Sequence, residues 1–190
     1  MKLEEKTLKS ITCYHGIIVN TRLDQAQLPD GSLALREVVE HPGGVAVLPL
    51  EEDGTVWCVR QFRYPFSELL LEIPAGKLEK GEAPEPAARR ELSEETGLEA
   101  GRLEYLGKQY ASPGYCGEVL HVYLARDLKH GKAHLDDGEF LNVEKHSLDE
   151  LTDLALSGQL PDVKTIVAVL KTRLLLAREA ENAAPEAKNP

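Results

Sequence analysis

Two stretches of the chain, 44–50 and 55–62, are rich in Val, Leu and aromatic residues, and the polar turn Glu51, Glu52, Asp53, Gly54 separates them. A pair of short apolar runs around such a turn predicts a β-hairpin. Further strands are expected at 11–20, 32–40, 68–73, 103–111, 118–125 and 140–144. Leu28, Pro29, Asp30 and Gly31 punctuate the first two of these, which predicts an N-terminal antiparallel ribbon. The pattern turns helical in three places. Residues 84–96 open with proline and are followed by Gly97, which suits the left-handed position beyond a helix end. Ser147 is placed to cap a short helix running through Leu156, with Glu150 completing a capping box. From 162 to about 180, the residues Ile166, Val167, Val169, Leu170 and Leu174 line one side of a longer helix.

Hairpins and few helices favour an α/β fold with a mixed β-sheet over a doubly wound parallel sheet. At 190 residues and 42% hydrophobic content the chain can bury one substantial core, so a single domain over 1–180 is expected. The last ten residues, ENAAPEAKNP, have nothing to bury and are expected to form a disordered tail, 181–190.

Composition narrows the function. Twenty-two basic residues against 32 acidic ones leave a net charge of −10, which opposes broad binding to a nucleic-acid backbone. A small anionic substrate stays compatible with that charge if metal ions reverse the local field. Cys13, Cys58 and Cys116 are odd in number and widely spaced, and so suggest neither a disulfide framework nor a zinc site. His15, His41, His121, His130, His134 and His146 form no metal-like cluster either. The N-terminus MKLEEKTLKS lacks the apolar stretch of a signal peptide, and no run approaches the roughly 20 apolar residues of a membrane span. A cytoplasmic protein is expected.

The helix at 84–96 carries the chemistry. Glu91, Glu94 and Glu95 stand at i, i+3 and i+4, so they emerge from one face, while Ala87, Ala88 and Leu92 can pack inward. Carboxylates crowded in this way call for a cation, and oxygen-only donors point to Mg2+ or Mn2+ rather than zinc. Around them the chain reads GKLEKGEAPEPAARRELSEETGL from Gly76, with Glu82 and Arg90-Glu91-Leu92 at fixed spacing, then Glu94-Glu95 and Gly97-Leu98. This resembles the Nudix box at every specified position. The resemblance implies the Nudix fold, a mixed β-sheet sandwiched between helices, with a loop, helix and loop that bind two or three divalent ions bridging a diphosphate. By position, it assigns Glu91 and Glu95 as metal ligands, Glu94 as ligand or neighbour, and the Ala75 carbonyl, aimed by a turn at Gly76, as a further ligand. Arg90 is expected to hold one of the glutamates in orientation.

Ala111-Ser112-Pro113-Gly114, with Pro113 sixteen residues beyond Gly97, is similar to a mark of the ADP-ribose pyrophosphatase subfamily. So are the run from Arg36 to Gly43, Gln61-Phe62-Arg63, and Glu72-Ile73-Pro74-Ala75-Gly76. The resemblance implies that Arg63 contacts the diphosphate and that Ser112 and Gly114 lie beside the substrate. It also implies a homodimer exchanging strands within 10–40, so that Arg36 reaches the neighbouring active site. The acidic loop Leu135-Asp136-Asp137-Gly138-Glu139-Phe140 is expected to supply the base or a late metal ligand, Glu139 first and Asp137 second. Hydrolysis of ADP-ribose to AMP and ribose 5-phosphate is the expected reaction. GDP-mannose or another nucleotide sugar is the alternative substrate, because Ile17 and Ile18 stand where the subfamily often has an aromatic that stacks on adenine. A non-catalytic nucleotide-sugar sensor is the remaining alternative, opposed by the complete glutamate set.

Overall fold

A computed structural model describes residues 2–183. The N-terminal ribbon consists of β1 (Lys6–His15), β2 (Asn20–Gln27) and β3 (Leu33–Glu40), antiparallel in that order. It has one strand more than expected. The 11–20 segment read as a single strand is broken by a turn in which the Gly16 amide donates to the Val19 carbonyl at 3.1 Å. Any side chain at Gly16 would collide with the Tyr14 ring, 2.5 Å from an added Cβ. Every position of β1 is exposed, so this ribbon packs little of itself against the rest of its own chain.

Following the ribbon come β4 (Gly44–Pro49), β5 (Thr55–Arg63), β6 (Glu68–Glu72) and β7 (Ala75–Lys77). The expected hairpin of β4 and β5 is corrected. Its tight turn exists, with the Glu51 amide donating to the Thr55 carbonyl at 2.8 Å. Beyond one bridge, Leu50 to Val56, the strands then separate into different sheets. β4 lies in a four-stranded sheet ordered β7-β4-β9-β8, and β5 in a three-stranded sheet ordered β10-β5-β6. Here β8 is Leu98–Gln109, β9 Leu120–His130 and β10 Leu141–Ser147. β4 and β9 run parallel, and both pair antiparallel with their outer neighbours, so this sheet is mixed.

All six residues of β4 are buried, which explains its unbroken apolar run. Val45 and Val47 face α1 (Pro84–Thr96), where Ala87, Ala88 and Leu92 meet them. Ala46 and Leu48 face the opposite way into a second cluster containing Leu148 and Leu151 of α2 (Leu148–Leu156) and Ala168 and Val169 of α3 (Val163–Ala183). The mixed sheet is therefore sandwiched between helices, in an α/β architecture. Ser147 caps α2 through its hydroxyl, which accepts from the Glu150 amide at 3.0 Å. The Glu150 carboxylate turns to His146 at 3.1 Å, so the capping box is realised on one side.

α3 differs from its expected face. Its buried residues are Lys164, Thr165, Ala168, Val169 and Thr172, whereas Leu174 is 65% exposed. Lys164 and Thr165 can occupy this face because their hydrogen bonds are made inside, as described below. The helix runs through Ala183, so residues 181–183 of the expected tail are helical, and the remainder of that tail lies outside the described residues. Among the described residues no helix is long and apolar enough to cross a membrane.

Candidate active site

The site is built where α1 leans on β7. Pro84 suits the first helical turn, and Gly97 ends the helix at φ 72° in the left-handed region. Ala87, Ala88 and Leu92 anchor the helix on the sheet, which brings Glu91 and Glu95 down against the β7 backbone. Both glutamates are buried, at 8% and 2% exposure. Glu95 accepts a hydrogen bond from the Ala75 amide at 3.0 Å. Gly76 sits in extended backbone within β7, so the turn expected there is absent. Its requirement is steric: a Cβ at Gly76 would lie 2.0 Å from the Glu91 carboxyl group.

Arg90 does more than orient one carboxylate. Its Nη1 donates to Glu91 and to Glu94, each at 2.8 Å. Nε and Nη2 donate to the two oxygens of Glu82, both at 3.0 Å, and Nη2 also reaches the Lys77 carbonyl at 3.2 Å. Glu82 in turn accepts from the Glu79 amide at 2.9 Å, fixing the loop between β7 and α1. One planar guanidinium thus ties the loop glutamate to two helix glutamates, a task for which a lysine lacks donors in a fixed fork.

Glu95 receives no such clamp. Burial, helped by the charges of Glu139 and Glu91, overrides the Ala75 hydrogen bond and pushes its carboxyl up to about 8. Burial also raises Glu91, against the pull of Arg90. Such a pair is short of positive charge, and hard oxygen donors without compensation suit a divalent cation. Among the described residues no three His, Cys, Asp or Glu side chains are drawn together as a finished ligand set.

Glu139 belongs to an exposed loop between β9 and β10. The start of that loop is fastened to the end of α1: the Gly131 amide donates to Gly97 at 2.7 Å, and the His134 amide donates to Glu94 at 2.8 Å. Gly97 is required twice over, since a Cβ there would meet the backbone of Lys132 and Ala133 at 2.7 Å. Glu139 is the loop carboxylate whose charge bears on both Glu91 and Glu95; Asp137 shares the same exposed turn.

Arg63, at the end of β5, forks onto Glu72 with bonds of 2.7 and 2.6 Å. Glu72 is 1% exposed and also binds Lys164, which bonds Asp162 at 2.9 Å. Sequence reasoning missed Lys164 and Asp162, and quoted Glu72 without a role. A charge within Leu69-Leu70-Leu71-Glu72-Ile73, a segment otherwise apolar, was the available signal. Ser112 and Gly114 lie in a tight turn where the Ser112 carbonyl accepts from Tyr115 at 3.2 Å and from Cys116 at 2.9 Å. Backbone pairing of Val39 with Tyr115 and Gly117 ties this turn to β3. Open space surrounds the Cβ position of Gly114, and its φ is not left-handed, so neither packing nor conformation demands glycine there. Within this one chain Arg36 is not joined to the glutamates; it forks onto Glu5 at 2.9 and 2.7 Å in the ribbon.

The NUDIX domain model matches residues 40–169. The chain is 41% identical over 181 residues to the ADP-ribose pyrophosphatase of Bacillus subtilis (strain 168), covering 94% of this chain and 98% of that one. It is also 41% identical to the methanol dehydrogenase activator of Bacillus methanolicus, covering 87% and 91%. A solved structure titled as an ADP compounds hydrolase superposes with a TM-score of 0.82 at 22% identity, covering 94% of this chain and 98% of that one, which is a likeness of fold. With a filled acidic helix, its arginine clamp and a domain match across most of its length, the chain belongs to the Nudix family and is a Nudix pyrophosphohydrolase.

Proposed function

We propose that this enzyme hydrolyses the pyrophosphate bond of a nucleoside diphosphate sugar, with ADP-ribose preferred and AMP and ribose 5-phosphate as products. The observation that carries this reading is the buried Glu91 and Glu95 pair against β7, left short of positive charge beside Arg90. Mg2+ or Mn2+ would be held by Glu91, Glu95, the Ala75 carbonyl and Glu139, with Glu94 alongside, and supplies charge neutralisation for the diphosphate. Arg63 retains Nη1 and one Nη2 hydrogen for phosphate oxygens after both bonds to Glu72 are counted. The turn at Ser112 and Gly114 lies open for the sugar side of the substrate. Glu139 takes a proton from the attacking water as its oxygen bonds to one phosphorus; the bridging P–O bond breaks, and the other phosphate departs.

The working unit is a homodimer of single 1–180 domains in the cytoplasm, exchanging strands within 10–40. Support comes from the ribbon: Leu8, Ile11, Leu33 and Leu35 are 48–63% exposed, too much apolar surface to leave in water on one small sheet. Exchange would carry Arg36, together with its partner Glu5, toward the neighbouring substrate.

A panel of nucleotide sugars assayed with Mg2+ tests the substrate. ADP-ribose is expected to exceed GDP-mannose in kcat/KM by at least about tenfold, the scale of a few well-made contacts. GDP-mannose ahead of ADP-ribose would replace the substrate while leaving the chemistry. A second reading rests on the methanol dehydrogenase activator, as similar in identity as the pyrophosphatase. Adding a methanol dehydrogenase to the same assay separates it, since activation there should be lost together with hydrolysis in Glu95→Gln if one site does both.

A further inference from the structure

Four charges form a chain behind the glutamate helix: Arg63 on β5, Glu72 on β6, Lys164 on the first turn of α3, and Asp162 just before it. Glu72 and Lys164 are 1% and 7% exposed, so neither is an ordinary surface ion. Burying them has a cost that only full pairing offsets, and the pairing is complete. Asp162 uses its second oxygen to accept from the Thr165 amide at 3.0 Å and from the Thr165 hydroxyl, capping α3. That hydroxyl accepts from the Ile73 amide at 2.9 Å, next to Glu72 in sequence. Two residues further on, the Ala75 amide holds Glu95.

Resting on the reading of Arg63 as the diphosphate contact, we infer that Lys164 is a positioning residue for substrate binding, acting through Glu72 to hold the Arg63 fork. Glu72 carries a single negative charge but meets two cations, Arg63 and a Lys164 that it shares with Asp162. Shared between them, it fixes the direction of the Arg63 guanidinium without claiming all of its positive charge. Arg63 therefore keeps attraction for an anion on its open edge, with its side chain 37% exposed. Without Lys164, the buried carboxylate of Glu72 would have Arg63 as its one cation. The pair would close on itself, and the diphosphate would meet a guanidinium already neutralised. A loss of this kind weakens ground state and transition state alike, so it belongs in KM rather than in kcat.

The experiment is a double-mutant cycle on the full-length enzyme, with kcat and KM for ADP-ribose and the thermal midpoint recorded for each variant. Lys164→Met is expected to raise KM about tenfold with kcat within about threefold of wild type. In an Arg63→Ala background the same substitution should leave KM where Arg63→Ala put it. Should Lys164→Met fail to fold, Lys164→Gln, which removes the same charge but keeps a hydrogen-bond donor, takes its place in the cycle. Retention of KM by Lys164→Arg supports a role for the charge. Additive KM effects, or a fall in kcat that tracks a lowered midpoint, would show Lys164 to be a stabilising ion pair and overturn the inference. An unchanged KM in Arg63→Ala alone would instead overturn the reading of Arg63, and with it the route by which Lys164 was held to act.

Discussion

Gly76 shows how little room the site leaves. An added methyl group would occupy the space of the Glu91 carboxyl group, 2.0 Å away, so Glu91 must turn aside or β7 must shift. Gly76→Ala is expected to lower kcat/KM by about tenfold or more, the range seen when groups supporting metal ligands are disturbed. Measured beside it, the thermal midpoint should change little, because the displaced group is the end of a side chain. Glu95 gives the converse case. As a carboxylate buried with other carboxylates nearby, it opposes folding until a cation arrives, while a glutamine could still accept the Ala75 hydrogen bond. Glu95→Gln should therefore abolish turnover and raise the thermal midpoint of chelator-treated protein. A midpoint lowered in chelator would mean that the charge stabilises the fold. In the exposed acidic loop, Glu139→Gln should cut kcat by about a hundredfold or more with KM nearly unchanged, while Asp137→Asn should be milder. The reverse ranking would move the base to Asp137.

At the scale of elements, the join between α1 and the 131–139 loop is where structure and catalysis meet. Gly97→Ala would strain a left-handed residue and press on the Lys132 and Ala133 backbone, at a cost of about 1–3 kcal/mol by denaturant unfolding, together with a displaced Glu139. Ser147→Ala, which removes only the α2 cap, should cost about 1 kcal/mol and spare activity. The elements most legible in the sequence were those with chemical end-markers. Pro84 and Gly97 bounded α1, and Ser147 opened α2. β2 was not legible, since Asn20-Thr21-Arg22-Leu23-Asp24-Gln25-Ala26-Gln27 carries two apolar residues and belongs to a ribbon that buries little. The hairpin of β4 and β5 was misread because a turn fixes how strands join, not which sheets they enter. Nor could periodicity alone find the buried face of α3, where Lys164 and Thr165 point inward because Glu72, Asp162 and Ile73 supply their partners. Within the candidate site, helical spacing placed Glu91, Glu94 and Glu95 together, whereas the reach of Arg90 back to Glu82 depends on how the loop before α1 folds, and the link from Glu72 to Lys164 joins residues far apart in sequence.

For the molecule as a whole, the ribbon and the glutamate helix are separate constructions, which strand exchange in a dimer would bring together. Mixed dimers of Arg36→Ala and Glu95→Gln chains, each nearly inactive alone, should carry one unaltered site out of two and so regain up to about half of the wild-type activity per heterodimer. Light scattering that finds a monomer at assay concentration would exclude the shared site. Metal-dependent hydrolysis at the acidic helix is tested by release of AMP from ADP-ribose by the purified enzyme with Mg2+, after chelation, and after Mg2+ is restored. AMP and ribose 5-phosphate in equal amounts, lost on chelation and recovered on readdition while far-ultraviolet circular dichroism stays constant, is the predicted result. Full AMP release in exhaustive chelator, or none with Mg2+ or Mn2+ present, would contradict it.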